Sequence, residues 1–174
     1  MHIFLIGERG IGKSLAIQNA VKLLRRTPYG FLTLFQDGDP DSSSLCMVPP
    51  SHPDWTDNAH RIALRQDGRM RLLPDRFESL ATSLLQEARS HPEGIILMDE
   101  CGHLEAGLDC FHREVLQCLD GNIPVLGALR MDQSWHAFIK NHPGVRVFPV
   151  TMDNRDSLPE KIAKALLQPS LTDH

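Results

Sequence analysis

The chain has 174 residues, 41% of them apolar and 23% charged, with a formal net charge of −4. That length suits one ordinary domain with a sizeable core, and the mild acidity argues against the basic face that nonspecific nucleic-acid binding needs. The N-terminal "MHIFLIGERG" is too short in its apolar run for a secretory leader, and no stretch reaches the length of a membrane span. The four cysteines lack C-x-x-C or zinc spacing and read as reduced thiols of a cytoplasmic protein.

His2 to Ile6 is an apolar run ending at Gly7, the pattern of a buried parallel strand. From Lys13 to Arg26 the period changes: Ile17, Ala20, Val21 and Leu24 share one helical face. Thr27-Pro28-Tyr29-Gly30 is expected to stop that helix, and "FLTLF", Phe31 to Phe35, to form a second strand. Residues 36–58 are rich in Pro, Ser and Asp and read as one long loop of the kind that serves as a lid or binding segment. Residues 61–73 carry alternating runs around Asp67-Gly68, a β-hairpin signal.

Asp75 to Arg89 reads as a helix with Phe77, Leu80, Leu84 and Ala88 on its inner face, and "GIILMDE" as a buried strand ending in two acids. Leu108, Phe111, Val115 and Leu119 mark a third helix. "IPVLGALR" reads as a strand, "QSWHAFIKNH" as a short helix and "VRVFPV" as another strand. Ser157 and Glu160 have capping-box spacing ahead of a last helix. Strands and helices alternate throughout. The expectation is a single α/β domain over 1–174, with a mostly parallel central sheet, helices on both faces and a β-hairpin insertion.

Gly7-x-x-x-x-Gly12-Lys13-Ser14 matches the Walker A spacing, placed after a strand and opening a helix. Glycines let backbone N–H groups turn toward a polyphosphate, and the helix presents its positive end to the anion. Lys13 is expected to act on the β- and γ-phosphates and the Ser14 hydroxyl to ligate Mg²⁺. The expected nucleotide contacts are Gly7, Glu8, Arg9, Gly10, Ile11, Gly12, Lys13, Ser14 and Leu15.

Asp99 and Glu100 stand where a buried strand leaves the sheet. Beside a phosphate seat, Asp99 is expected to complete the Mg²⁺ shell with Ser14, and Glu100 to act as general base on the attacking water. His103, Glu105 and Cys101 read as turn and packing residues. Arg130, ending "PVLGALR", is a candidate γ-phosphate sensor or a strand-end surface charge.

Three blocks taken together resemble the THEP1-type nucleoside-triphosphatases. They are "GERGIGKS"; "ILMDECGHLE", through Asp99, Glu100, Gly102, Leu104 and Glu105; and "VFPVTMDNRDSLPEKI", through Asn154, Arg155 and Leu158. The resemblance implies a RecA-like P-loop fold and Mg²⁺-dependent hydrolysis of ATP, GTP and other nucleoside triphosphates, with slow turnover and weak base preference. It also implies a nucleotide contact at Asn154 and Arg155. The chain departs from the family pattern at Glu8-Arg9, where Gly-Pro is usual, and in its Pro/Ser tract after the second strand.

Two other readings share the same phosphate seat: a small-molecule kinase, with Arg61, Arg65, Arg69 and Arg71 of the hairpin as lid arginines, and a nucleotide-dependent switch using the 36–58 loop. The adjacent Glu100 favours water activation and so the hydrolase. No membrane or nucleic-acid partner is expected. The sequence sets no oligomeric state and leaves a monomer open.

Overall fold

The computed structural model describes residues 1–36, 43–101, 107–131 and 137–167, leaving aside the side chains of Glu100 and Cys101. Its centre is one sheet of eight strands in the order β5-β4-β3-β2-β6-β7-β1-β8. Five strands run parallel: β2 (Pro28–Phe35), β6 (Ile95–Cys101), β7 (Val125–Arg130), β1 (His2–Gly7) and β8 (Val145–Pro149). The remaining three, β3 (Ser44–Val48), β4 (Arg61–Gln66) and β5 (Arg69–Leu72), extend the sheet from β2 in antiparallel pairing.

Strict alternation along the parallel strands splits the core in two. Ile3 and Leu5 of β1, Ile95 and Leu97 of β6, and Leu126 and Ala128 of β7 pack toward α1 (Lys13–Leu24) and α5 (Leu158–Leu167). Phe4, Ile96, Met98, Val125 and Leu129 face the other way, toward α2 (Pro74–Arg89) and α3 (Asp109–Leu119), with Ile139 of the short α4 (Ala137–Lys140). The side-chain period of two serves both faces because both are covered by helices. The mostly parallel α/β sheet with helices on both faces and an added hairpin is the expected architecture.

Several boundaries differ from expectation. α1 stops at Leu24, where Arg25 turns left-handed at φ 53°, so the stop precedes Thr27. Pro28, Tyr29 and Gly30 then belong to β2, and Gly30 is needed there: a Cβ at this position would lie 2.2 Å from the Leu97 carbonyl oxygen of β6. The stretch expected as a continuous loop contains β3, whose "SLCMV" is apolar enough to pair once β2 offers it an edge. Within 36–58, residues 37–42 lie outside the described residues.

On α2 the fully buried positions are Phe77, Ala81, Leu85 and Ala88, with Leu80 and Leu84 half-buried at the margin. The stripe is thus turned from the expected one, because α2 packs against α3 as well as the sheet. The capping box of Ser157 and Glu160 gives way to a different contact: the Ser157 hydroxyl donates to the Asn154 carbonyl. Among the described residues, Cys46, Cys110 and Cys118 stand outside any disulfide, and no helix is long and apolar enough to cross a membrane.

Candidate active site

The site lies where β1, β7, β6 and β2 present their carboxyl ends. This is the crevice an open α/β sheet offers to ligands. β1 ends at Gly7, and residues 8–12 turn back into α1, with the Ile11 N–H donating to the Glu8 carbonyl and the Ala16 N–H to that of Gly12. Gly12 caps the helix at φ 108°, a conformation that L side chains rarely adopt. The cap supplies no side-chain hydrogen bond, and the first turn of α1 carries no acidic residue. The orphan N–H groups and positive helix end are therefore directed at whatever anion the loop holds.

Lys13 is 7% exposed and donates from Nζ to the carbonyls of Gly7 at 2.9 Å and Glu8 at 2.8 Å. These bonds fold the ammonium over the loop and hold its charge where phosphate oxygens would lie. Glu8, Arg9 and Gly10 form the exposed tip. The Arg9 guanidinium stands 5.9 Å from the centroid of the Phe35 ring, so the tip leans toward the end of β2. Leu15, on the first turn of α1, is 62% exposed.

Across the crevice, Ser14 Oγ donates to Asp99 Oδ1 at 2.9 Å, joining the helix start to the end of β6. Asp99 is 4% exposed. The pairing tests the fit to a divalent cation: a hydroxyl and a buried carboxylate converge at the mouth of an anion seat, the all-oxygen donor set that Mg²⁺ takes alongside phosphate oxygens. Among the described residues no cluster of three His, Cys, Asp or Glu side chains forms a metal site complete in itself.

β6 is irregular at this point. Its register with β7 runs Met98 to Gly127 and then Cys101 to Leu129, so Asp99 and Glu100 together oppose the single residue Ala128. Two residues against one is a β-bulge, a device that re-aims side chains beside active sites. Glu100 lies in this bulge, and its side chain lies outside the described residues, as do residues 102–106 with His103 and Glu105. Thr33 of β2, which sequence reasoning passed over, donates from Oγ1 to the Asp99 carbonyl at 3.0 Å. Its one signal in the sequence is a hydroxyl within the otherwise apolar "FLTLF".

Arg130 ends β7 in register with Gly7, between the strand that opens the phosphate loop and the strand that carries the acids. Arg155 reaches the loop from the far end of the chain. Its Cδ lies 3.8 Å from where a Cβ on Gly12 would stand, and its Nε lies 3.6 Å from the exposed Asp156 carboxylate. Asn154 works within its own turn: Oδ1 accepts from the Thr151 N–H and Nδ2 donates to the Pro149 carbonyl. Those bonds shape the segment that brings Arg155 to Gly12. The hairpin arginines sit at the far antiparallel edge. Arg61 donates to Gln36 Oε1 at 3.3 Å, and Arg69 and Arg71 are exposed on the edge strand, where charge blocks further strand pairing.

The chain has clear relatives among known proteins. A family model described as NTPase matches residues 2–163. The chain is 28% identical to the nucleoside-triphosphatase THEP1 of Natranaerobius thermophilus, spanning 95% of this chain and 96% of that one. It is 27% identical to a cancer-related nucleoside-triphosphatase homolog of Mus musculus, over 98% of both. Its fold superposes on the crystal structure of THEP1 from Aquifex aeolicus with a TM-score of 0.76 at 22% identity, covering 97% of this chain and all of that one. The solution structure of a human cancer-related nucleoside triphosphatase gives a TM-score of 0.73 at 26% identity, covering 95% and 97%. The phosphate loop, the RecA-like sheet and the near-complete family match place the chain in the THEP1-type family of P-loop nucleoside-triphosphatases.

Proposed function

We propose that this protein hydrolyses nucleoside triphosphates to the diphosphate and inorganic phosphate, in one domain spanning the chain, with Mg²⁺, slow turnover and little preference among bases. The observation that carries this reading is the Ser14–Asp99 hydrogen bond, which couples a Walker A helix start to an acid-bearing strand end. Ser14 and Asp99 are the residues that would hold Mg²⁺, and the bound ion supplies charge neutralisation on the phosphoryl oxygens.

The remaining work belongs to the chain. The N–H groups of residues 7–15 bind the phosphates, and Lys13 opposes the charge that develops during transfer. Glu100, beside Asp99 in the bulge, takes the proton of the attacking water. Arg130 faces the γ-phosphate from the neighbouring strand, and Arg155 and Leu15 line the base and ribose side. Cysteines outside any disulfide support a cytoplasmic setting.

The test is phosphate release from ATP, GTP, CTP and UTP by the purified protein with Mg²⁺ and no added acceptor. Several substrates should be turned over steadily. Glu100→Gln should bind Mg-nucleotide nearly as well and lose ~10²-fold or more in turnover. Release that requires an added alcohol or nucleoside would replace hydrolysis with a kinase reaction.

A further inference from the structure

β2 and β6 pair in regular parallel register from Pro28 with Ile95 to Phe31 with Met98, and there the ladder ends. β2 itself continues to Phe35, its other side engaged with β3 from Leu32 to Phe35. The β6 backbone departs at the residues with the chemistry: Asp99 and Glu100 form the two-residue side of the bulge against β7. The acids therefore lie on a stretch released from regular register with both neighbours. At that place the Thr33 hydroxyl crosses from β2 and donates to the Asp99 carbonyl at 3.0 Å.

We propose that Thr33 is a positioning residue for the reaction: its hydroxyl pins the Asp99–Glu100 bulge and so sets the aim of both carboxylates. This rests on the hydrolase reading above, because it assumes that Asp99 and Glu100 do the metal and base work. A bulge leaves its extra residue unpaired and interrupts the ladder, so other bonds must hold the backbone there. The carbonyl that Thr33 grips belongs to the peptide joining Asp99 to Glu100, so the bond ties to β2 the stretch of backbone that carries both acids. Threonine suits the task, since β-branching restricts χ1 and fixes where the hydroxyl points. Thr33 acts through the acids.

The experiment compares Thr33→Val, which keeps the branched shape and removes the donor, with Thr33→Ser, which keeps the donor. Thr33→Val should lower kcat ~10-fold, the size typical of losing a support to an active-site ligand, with nucleotide affinity within ~2-fold of wild type and a higher Mg²⁺ concentration for half-maximal rate. Thr33→Ser should recover most of the rate. In a Glu100→Gln background at saturating Mg²⁺, where the Asp99 contribution is compensated, single-turnover rates should show little further loss from Thr33→Val, because what remains acts through Glu100.

A Thr33→Val enzyme of normal kcat and normal Mg²⁺ dependence, beside an inactive Glu100→Gln, overturns the role of Thr33 alone. So does a loss at saturating Mg²⁺ that multiplies fully with that of Glu100→Gln, which marks an effect independent of the base, or a loss that Thr33→Ser fails to rescue, which marks an effect other than the hydrogen bond. A fully active Glu100→Gln enzyme overturns the base assignment and, with it, the positioning role.

Discussion

The two ends of the parallel sheet treat their polar groups in opposite ways. At the amino ends, polar groups close on one another. His2 is 2% exposed; its Nδ1 accepts from the Val125 N–H, and the ring also bonds the Leu119 backbone. His142 accepts from the Gly144 N–H and bonds Asp120 through Nε2. At the carboxyl ends, Ser14, Leu15 and the loop tip are exposed, and Lys13, Ser14 and Asp99 gather around the start of one helix. A sheet end whose donors are matched internally contributes stability. One whose donors are aimed outward from a helix terminus contributes binding.

If the division holds, a substitution at one end should leave the other end's property alone. The largest effect is expected from Lys13→Ala. It should cut kcat/KM by ~10³-fold through loss of charge stabilisation and weaken nucleotide binding, measured by steady-state kinetics and direct titration. Its unfolding free energy should stay within ~1 kcal/mol of wild type, because the bonds from Nζ to the Gly7 and Glu8 carbonyls close within the loop itself. Unchanged nucleotide binding would remove the phosphate seat from the description.

The next effect belongs to the amino end. Burial, together with nearby positive charge, lowers the His2 pKa from 6.5 to about 4, with His142 lowering it further and Asp120 opposing. The unfolded chain therefore binds a proton between pH 6.5 and 4 that the folded chain refuses. Stability from this site is complete above pH 6.5 and is lost as pH falls toward 4, amounting to about 3 kcal/mol at most. Denaturant titrations across that interval should show the slope, and His2→Gln should flatten it while leaving kcat at pH 7.5 unchanged. A smaller effect is expected from Arg155→Ala. The side chain is 41% exposed and its pairing with Asp156 is loose, so stability should not change. KM for Mg-nucleotide should rise ~3- to 10-fold with kcat nearly constant; a kcat loss instead would move Arg155 from binding to the reacting phosphate.

The phosphate seat was legible because its parts are consecutive. Strand, turn glycines, lysine, hydroxyl and helix fall within residues 2–24, and local backbone geometry alone brings them together. The alternation of apolar runs likewise told strand from helix for β1, β6, β7 and α3. β3 was hidden in a Pro/Ser-rich tract, because a five-residue edge strand draws its stability from the neighbour it pairs with. Asn154 and Arg155 were marked by resemblance, and only the fold separates their tasks, one closing a turn and the other standing beside Gly12.

By itself, then, the sequence determined a phosphate-binding strand–loop–helix, an acid-tipped strand and an α/β chain, since each depends on contacts between near neighbours. The tertiary structure decided the strand order that sets Arg130 between Gly7 and the acids, the bulge at Asp99 and Glu100, and the Thr33 bond that holds it. These depend on which segments lie side by side. Hydrophobic periodicity specifies a buried face, but it carries no label for the partner that will cover it.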